Sequence, residues 1–330
     1  MTSSGPRTIV SGARPTGQLH LGNFHGAIKN WVRLQHENDC LFFVADWHAL
    51  TTDWGESGDI ARNVIEMVLD WLAIGLDPGR CTIFQQSAVM EHAELYLLLG
   101  MLTPVPWLER NPTFKEQQQH LDGRDLSTFG FLGYPVLQAA DVLMYKACAV
   151  PVGIDQAPHI ELAREIARRF NATYGDIFPE PQTLFTETPK ILGTDGRKMS
   201  KSYGNAVFLT EDPADVDKKL SRMVTDPRRA RRTDPGVAED CPAYTSLHRT
   251  YCTTDELAWA AEGCRTAAIG CLECKKVMIK HVIAELEPIR ERRARLKADD
   301  ARAVLEAGNH RARAIAAATM REVRTAMGLA

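Results

Sequence analysis

Through the first half of the chain, short apolar runs of strand length alternate with longer segments in which apolar residues recur every three or four positions. Residues 8–10, 40–45, 81–84 and 147–152 predict buried strands, and residues 24–35, 59–74 and 158–170 predict helices. This alternation predicts an α/β fold: a Rossmann-like, doubly wound parallel sheet covered by helices on both faces. In such a sheet ligands bind beyond the carboxyl ends of the strands, and His20, Asp46 to His48 and Gly153 to Gln156 each fall just past a predicted strand. Residues 179–206, dense in Pro, Thr, Gly and Lys, predict a long loop. Beyond about residue 210 the strand pattern fades, and 211–223, 254–270, 272–287 and 301–327 predict helices. The expected organisation is a Rossmann-like domain over 1–206 and an all-helical domain over 207–330, with the terminal helix able to pack back on the first domain.

Composition narrows this only slightly. With 330 residues, 45% hydrophobic and 25% charged, the chain has the make-up of a soluble globular protein. The first residues lack a signal-peptide apolar core, and oily stretches such as 95–102 are far short of the roughly 18–20 residues of a membrane span, so a cytoplasmic location without membrane contact is expected. A net charge of −3 is unhelpful to a protein that binds nucleic acid, but the cations are unevenly placed. Seven Lys or Arg residues lie between Lys218 and Arg232, and a second cluster comprises Arg290, Arg292, Arg293, Arg295 and Lys297. Such runs are ordinary solvated helix faces unless chemistry elsewhere asks for a polyanion.

Two short stretches supply that chemistry. Pro15-Thr-Gly-Gln-Leu-His20-Leu-Gly22-Asn23 follows a strand-like segment and opens a helix near Gly22, where backbone N–H groups and the positive helix end suit a phosphate. Lys198-Met-Ser-Lys201-Ser202 sets two lysines three apart on a loop rich in small residues, suited to clamp the charge that develops as pyrophosphate leaves. Each is weak alone, and together they describe an ATP site. His20-Leu-Gly22-Asn23 resembles the HIGH motif of class I aminoacyl-tRNA synthetases, with Asn23 where many members have a second His, and Lys198 to Ser202 matches their KMSKS motif in full. The resemblance runs from about Thr8 to Leu329 and looks most like the bacterial tryptophanyl-tRNA synthetases.

That resemblance implies activation of L-tryptophan by ATP to tryptophanyl-adenylate, with pyrophosphate leaving as its Mg²⁺ complex, followed by acyl transfer to tRNA(Trp) without a covalent enzyme intermediate. It implies that His20, Asn23, Lys115, Lys198 and Lys201 are catalytic along the phosphate path. ATP contacts are implied at Arg14, Thr16, Gly17, Gly22, Asn23, Gly153, Asp155, Lys198, Met199, Ser200 and Lys201. Arg14 stands where relatives often have Gln. The helical domain is implied to bind the tRNA anticodon, with no DNA partner, and the apolar 95–111 region to join a homodimer.

Between Phe131 and Gly153 the charged side chains are Asp141 and Lys146. Tyr134, Gln138, Asp141 and Tyr145 share one face of a helix expected to start near Pro135, so a carboxylate sits in an oily neighbourhood and must find a donor. A structural donor would satisfy it as well as a ligand. The resemblance makes Asp141 the acceptor of the tryptophan indole N–H, a choice that disfavours phenylalanine because the carboxylate would then be unpaired. The same correspondence makes Val10, Val150 and Val152 apolar walls for the ring, places Tyr134 and Gln156 at the ammonium group, and sets His48 near the carboxylate and ring. Gln138 stands where some relatives carry Met.

Five of the eight cysteines fall between Cys241 and Cys274. Cys241, Cys264, Cys271 and Cys274 read C-x22-C-x6-C-x2-C, a metal or iron–sulfur pattern in which spacing alone does not separate Zn²⁺ from [4Fe–4S]. A subset of bacterial tryptophanyl-tRNA synthetases carries this spacing with a [4Fe–4S] cluster, so the resemblance implies that cluster, with zinc as the alternative. Cys252, Cys40, Cys81 and Cys148 are left as spare thiols.

Three rivals follow from the same residues. A tyrosyl-tRNA synthetase shares the fold and both motifs, although the 134–156 stretch matches the tryptophan enzyme better. Cytidylyl- and adenylyltransferases also use a His-x-Gly-His turn, but the full KMSKS and the helical tail argue against them. A non-catalytic paralogue binding tryptophan, tRNA or a protein partner would be expected to have lost a phosphate lysine, and Lys115, Lys198 and Lys201 are all present.

Overall fold

The apolar runs too short for helices do form strands. The computed structural model describes residues 7–112, 127–153, 156–185 and 190–329. Among them, β1 (Thr8–Ala13), β2 (Asp39–Val44), β3 (Cys81–Gln85), β4 (Ala149–Val152) and β5 (Gln182–Phe185) form one sheet in the order β3-β2-β1-β4-β5. Every pairing is parallel, with Ile9 opposite both Cys40 and Ala149 at the centre. β2 is buried from Cys40 to Val44 because helices cover both faces of the sheet, the reason its sequence reads as a continuous apolar run rather than an alternating one. The chain winds outward from β1 through β2 to β3, then returns to the other side of β1 for β4 and β5. A parallel sheet opens its ligand crevice beyond the carboxyl ends at that reversal.

Three expectations are corrected. Residues 179–206 are not loop throughout: Gln182–Phe185 is an edge strand whose side chains are all at least partly exposed, so no buried run announces it. The helix expected to begin near Pro135 begins at Phe129, because the Thr128 hydroxyl accepts the Phe131 N–H and caps it two turns early. The helix expected to stop at residue 287 runs from Cys271 to Arg295 through Pro288. Pro288 removes the N–H that Ala284 would accept, but both residues are exposed, which leaves that carbonyl open to solvent, while buried Leu286 and Ile289 hold the helix on its packing face.

The chain divides into two compact units, Met1–Gly17 with Trp31–Glu187 and Lys297–Ala330, and Gln18–Asn30 with Thr188–Leu296. In the first, Trp31 stacks on Phe42 with ring centroids 4.6 Å apart, and Trp71 meets Trp31 edge-on. The helix Ala298–Ala326 lies along the edge strand β3. A Cβ on Gly308 would come within 1.7 Å of the Ile83 carbonyl oxygen, so only glycine permits this approach, and the next residue, Asn309, accepts the Gln85 backbone N–H at 2.9 Å. The second unit is built on helices Pro213–Ser221, Thr254–Arg265 and Cys271–Arg295, with Met278, Val282 and Leu286 in its core. No helix among the described residues is long and apolar enough to cross a membrane.

Candidate active site

In the first unit, the carboxyl ends of β2 and β3 hand over directly to polar residues. Asp46 opens the helix Asp46–Asp53, and its carboxylate accepts N–H bonds from Trp47 (3.1 Å) and Ser87 (3.0 Å) and from the Gln85 amide (2.7 Å), locking the two strand ends together. That fixes His48 on the first turn of the helix. His48 Nε2 donates to Asp141 Oδ2 at 2.7 Å.

Asp141 is 1% exposed and lies on the helix Phe129–Met144. Besides His48 it accepts from His92 Nδ1 at 2.6 Å, and from the Gln86 amide at 2.8 and 3.0 Å on its two oxygens. His92 Nε2 in turn lies 2.7 Å from the Tyr145 hydroxyl. Burial alone would raise the Asp141 carboxyl, but the hydrogen bonds and charge of His48 and His92 outweigh it and hold the group below the usual carboxylate range. The result is an ionised carboxylate in an apolar core, its lone pairs occupied mostly from the side away from solvent. Of its partners, His92 and Gln86 are fully buried, whereas the His48 side chain keeps 12% exposure.

Gln86 and His92 escaped the sequence reading. Gln86 carried a usable signal, since it follows β3 at the carboxyl end as His48 follows β2. His92 sits in an apolar helix, Glu91–Leu102, with no pattern to mark it. Of the remaining pocket residues, Val10 and Val150 are buried in the main core with Val152 packed against it. Tyr134 meets the buried His159 Nε2 at 3.3 Å, and burial pushes its hydroxyl up to about 12 despite the nearby Arg14 charge. Gln138 and Gln156 are partly buried, Gln156 at the N-cap of the helix Ala157–Tyr174, just after Gly153. Arg14 donates to the Thr52 hydroxyl at 3.3 Å, and Thr16 and Gly17 complete the turn, with Gly17 at φ 97°.

The second unit brings the two phosphate motifs together. Leu21–Asn23 is one helical turn capped reciprocally: the Asn23 N–H donates to His20 Nδ1 at 3.3 Å, and the His20 N–H donates to Asn23 Oδ1 at 3.1 Å. The cap occupies the His20 Nδ1 lone pair and so leaves the ring proton on Nε2. Burial, with a lesser contribution from the Lys198 charge, lowers His20 to about 4, so the imidazole is a neutral N–H donor at physiological pH. Gly22 is needed here because a Cβ would come within 2.9 Å of the His20 ring. Lys198 and Lys201 are exposed, and Met199 between them is buried at 3%. Their loop is pinned by Asn205, which accepts the Ser200 N–H at 2.8 Å and donates to Asp195 at 2.7 Å and to the Lys198 carbonyl at 3.3 Å. Asn205, 2% exposed, was also missed from sequence. Lys115 and Asp155 lie outside the described residues.

Cys241, Cys264, Cys271 and Cys274 line a single cavity in the second unit, together with Arg229, Tyr244, His248 and Lys275. Burial, then the neighbouring cysteines, pushes the Cys274 thiol up to about 12, and Cys264 is raised by the same causes against the pull of Arg229. Four thiols around one cavity make a donor set of the kind that holds a metal ion or an iron–sulfur group. Beside it a cleft is lined by Arg229, Arg231, Arg232 and Lys276.

Residues 2–287 match the family model of class I tRNA synthetases (W and Y). A tryptophan–tRNA ligase of Thermotoga maritima is 50% identical over 324 residues, spanning 97% of this chain and 99% of that protein. One of Aquifex aeolicus is 46% identical, again over 97% and 99% of the two chains. Among solved structures, a tryptophanyl-tRNA synthetase from Campylobacter jejuni complexed with ADP and tryptophan has a TM-score of 0.86 at 31% identity, covering 98% of this chain and 100% of its own.

Proposed function

Because the chain belongs to the class I tRNA synthetases of the tryptophan and tyrosine type, we propose that it is a tryptophan–tRNA ligase, activating L-tryptophan with ATP and passing the acyl group to tRNA(Trp). The observation that carries the reading is the near-full-length identity with tryptophan-specific ligases. The ionised Asp141 supports tryptophan as substrate: indole offers one donor and no acceptor, and the partly exposed His48 is the partner that an incoming N–H would displace or join.

On this reading the reaction is one of positioning and charge stabilisation. The tryptophan carboxylate attacks the α-phosphorus of ATP in line and pyrophosphate departs with Mg²⁺. His20, held neutral, donates from Nε2 to a phosphate oxygen without adding fixed charge, and Asn23 keeps it in that tautomer. Lys198 and Lys201 supply the cations that follow the leaving group, with Lys115 assigned to the same path by resemblance. Cys241, Cys264, Cys271 and Cys274 would hold a [4Fe–4S] group, which would cross-link the helical unit, and Arg229 and Lys275 line the same cavity to offset thiolate charge. The Arg229 to Lys276 cleft and the arginines ending the helix Cys271–Arg295 are the surface assigned to tRNA. Exposed Met90, Leu97, Met101 and Val105 support a homodimer through this region, although Leu95, Leu98 and Leu99 are core. A cytoplasmic location belongs to the same reading.

The test is ATP–pyrophosphate exchange with tryptophan, with tyrosine as control. Exchange with tryptophan alone is expected. Exchange driven by tyrosine, or none from folded protein, would overturn the assignment.

A further inference from the structure

We propose that Cys252, Glu256 and His281 form a second metal site, separate from the four-cysteine cavity, which binds a zinc-class divalent cation through three side chains and one water. The donor atoms of the three residues all lie within 4.8 Å of one another. His281 Nε2 is already 2.9 and 3.0 Å from the two Glu256 oxygens. Bonds of about 2.0–2.3 Å from zinc to nitrogen, oxygen and sulfur place neighbouring ligands roughly 3.3–3.7 Å apart in a tetrahedron, so closing the site needs a movement of about 1 Å.

The backbone fixes these groups before any ion arrives. The Cys252 N–H is bonded to the His248 carbonyl at 2.8 Å. Thr253 then caps the helix Thr254–Arg265, and Glu256 at its third position accepts the Thr253 N–H at 2.8 Å and its hydroxyl at 3.2 Å. Those bonds are the outer support that orients a ligating carboxylate. His281 comes from the helix Cys271–Arg295. Glu256 and His281 keep 31% and 34% side-chain exposure, so an ion can enter and water can take the fourth position.

The donor set also selects the metal. One thiolate and one imidazole favour zinc over magnesium or calcium, and thiolate plus carboxylate neutralise a divalent charge with the imidazole uncharged. Coordination breaks the Cys252 S–H bond, the proton passing to solvent and the sulfur electron pair to the metal, and the proton that His281 donates to Glu256 leaves Nε2 as the neutral ring takes the Nδ1–H tautomer, freeing the Nε2 lone pair for the metal. Once formed, the site fastens the helix that carries Cys264 to the helix that carries Cys271 and Cys274.

The test uses the full chain, purified anaerobically with its iron retained and freed of loosely bound metal by a mild chelator, titrated with zinc, and examined by metal analysis, thermal melting and X-ray absorption at the zinc edge. The expected result is one zinc per chain in a shell of one sulfur and three nitrogen or oxygen atoms, with a melting temperature that rises on zinc addition. Cys252→Ser and His281→Asn should each weaken zinc binding at least ~100-fold, more than loss of an outer partner does, while melting without zinc as the wild type does and keeping its iron content. A zinc shell of four sulfurs, wild-type affinity in both variants, or no zinc binding by the wild type would overturn the proposal.

Discussion

Replacing His92 tests whether the buried network holds Asp141 ionised. In His92→Leu, Asp141 loses a 2.6 Å charge-assisted hydrogen bond, worth about 1.5–3 kcal/mol, and the buried Tyr145 hydroxyl loses its partner, costing about 1–3 kcal/mol more. In His92→Asn the shorter amide can still donate to Asp141, so only the Tyr145 bond goes. The two variants should therefore differ by about 1.5–3 kcal/mol in urea unfolding, roughly 10- to 150-fold in the folding equilibrium. In pyrophosphate exchange His92→Leu should raise the tryptophan KM while leaving the ATP KM unchanged, and His92→Asn should recover most of the loss. The pH dependence follows in sign. Asp141 is depressed in the folded chain, so its contribution is present above the usual carboxylate range and lost as pH falls through its folded value. Acid unfolding of His92→Leu should begin at higher pH. Equal losses in the two variants, or a leucine variant as stable as wild type, would refute the claim that His92 holds the carboxylate.

Three further outcomes are expected. Lys198→Ala should lower the exchange kcat by ~10²–10³ with tryptophan binding unchanged, and Asn205→Ala should lower it less by loosening the loop that Asn205 pins through Ser200, Asp195 and Lys198. His20 should titrate near 4 by NMR and move upward in Lys198→Ala; because the unfolded chain takes up this proton first, stability should fall as pH drops from about 6.5 toward 4. Gly308→Ala, which forces a methyl toward the Ile83 carbonyl, should cost about 1–3 kcal/mol in a thermal or urea melt, and an unchanged melt would refute the close approach.

What the sequence revealed and concealed divides along physical lines. β1, β2 and β4 were legible because central strands covered on both faces must be largely apolar, and β3, though at an edge, because Cys81, Ile83 and Phe84 are buried, whereas β5 at the other edge, with no fully buried residue, carries no such signature. The position of Asp141 was legible as a charge in an oily run, but its partners were not. Gln86 and His92 reach it from 55 and 49 residues away, a juxtaposition that only the sheet topology creates. Pro135 and Pro288 misled for one reason: each looked like a helix boundary, and in each case capping or packing elsewhere on the helix outweighed the missing N–H. The four cysteines were readable from spacing, while Asn205 looked like any loop asparagine until its three bonds were in place.

The helix that covers β3 also sets an order of events during synthesis. Gly308 leaves the ribosome 225 residues after Ile83, the strand residue it covers. At translation rates of about 5–20 residues per second that is roughly 10–45 s, during which the nascent sheet has an open edge with unpaired backbone groups. All five strands have been made by Phe185, but the β3 edge is not protected against strand-to-strand association until the helix Ala298–Ala326 has emerged. A ribosome stalled between these points would hold a chain with most of its apolar core made and its edge uncovered, the state in which trigger-type chaperones would be needed most.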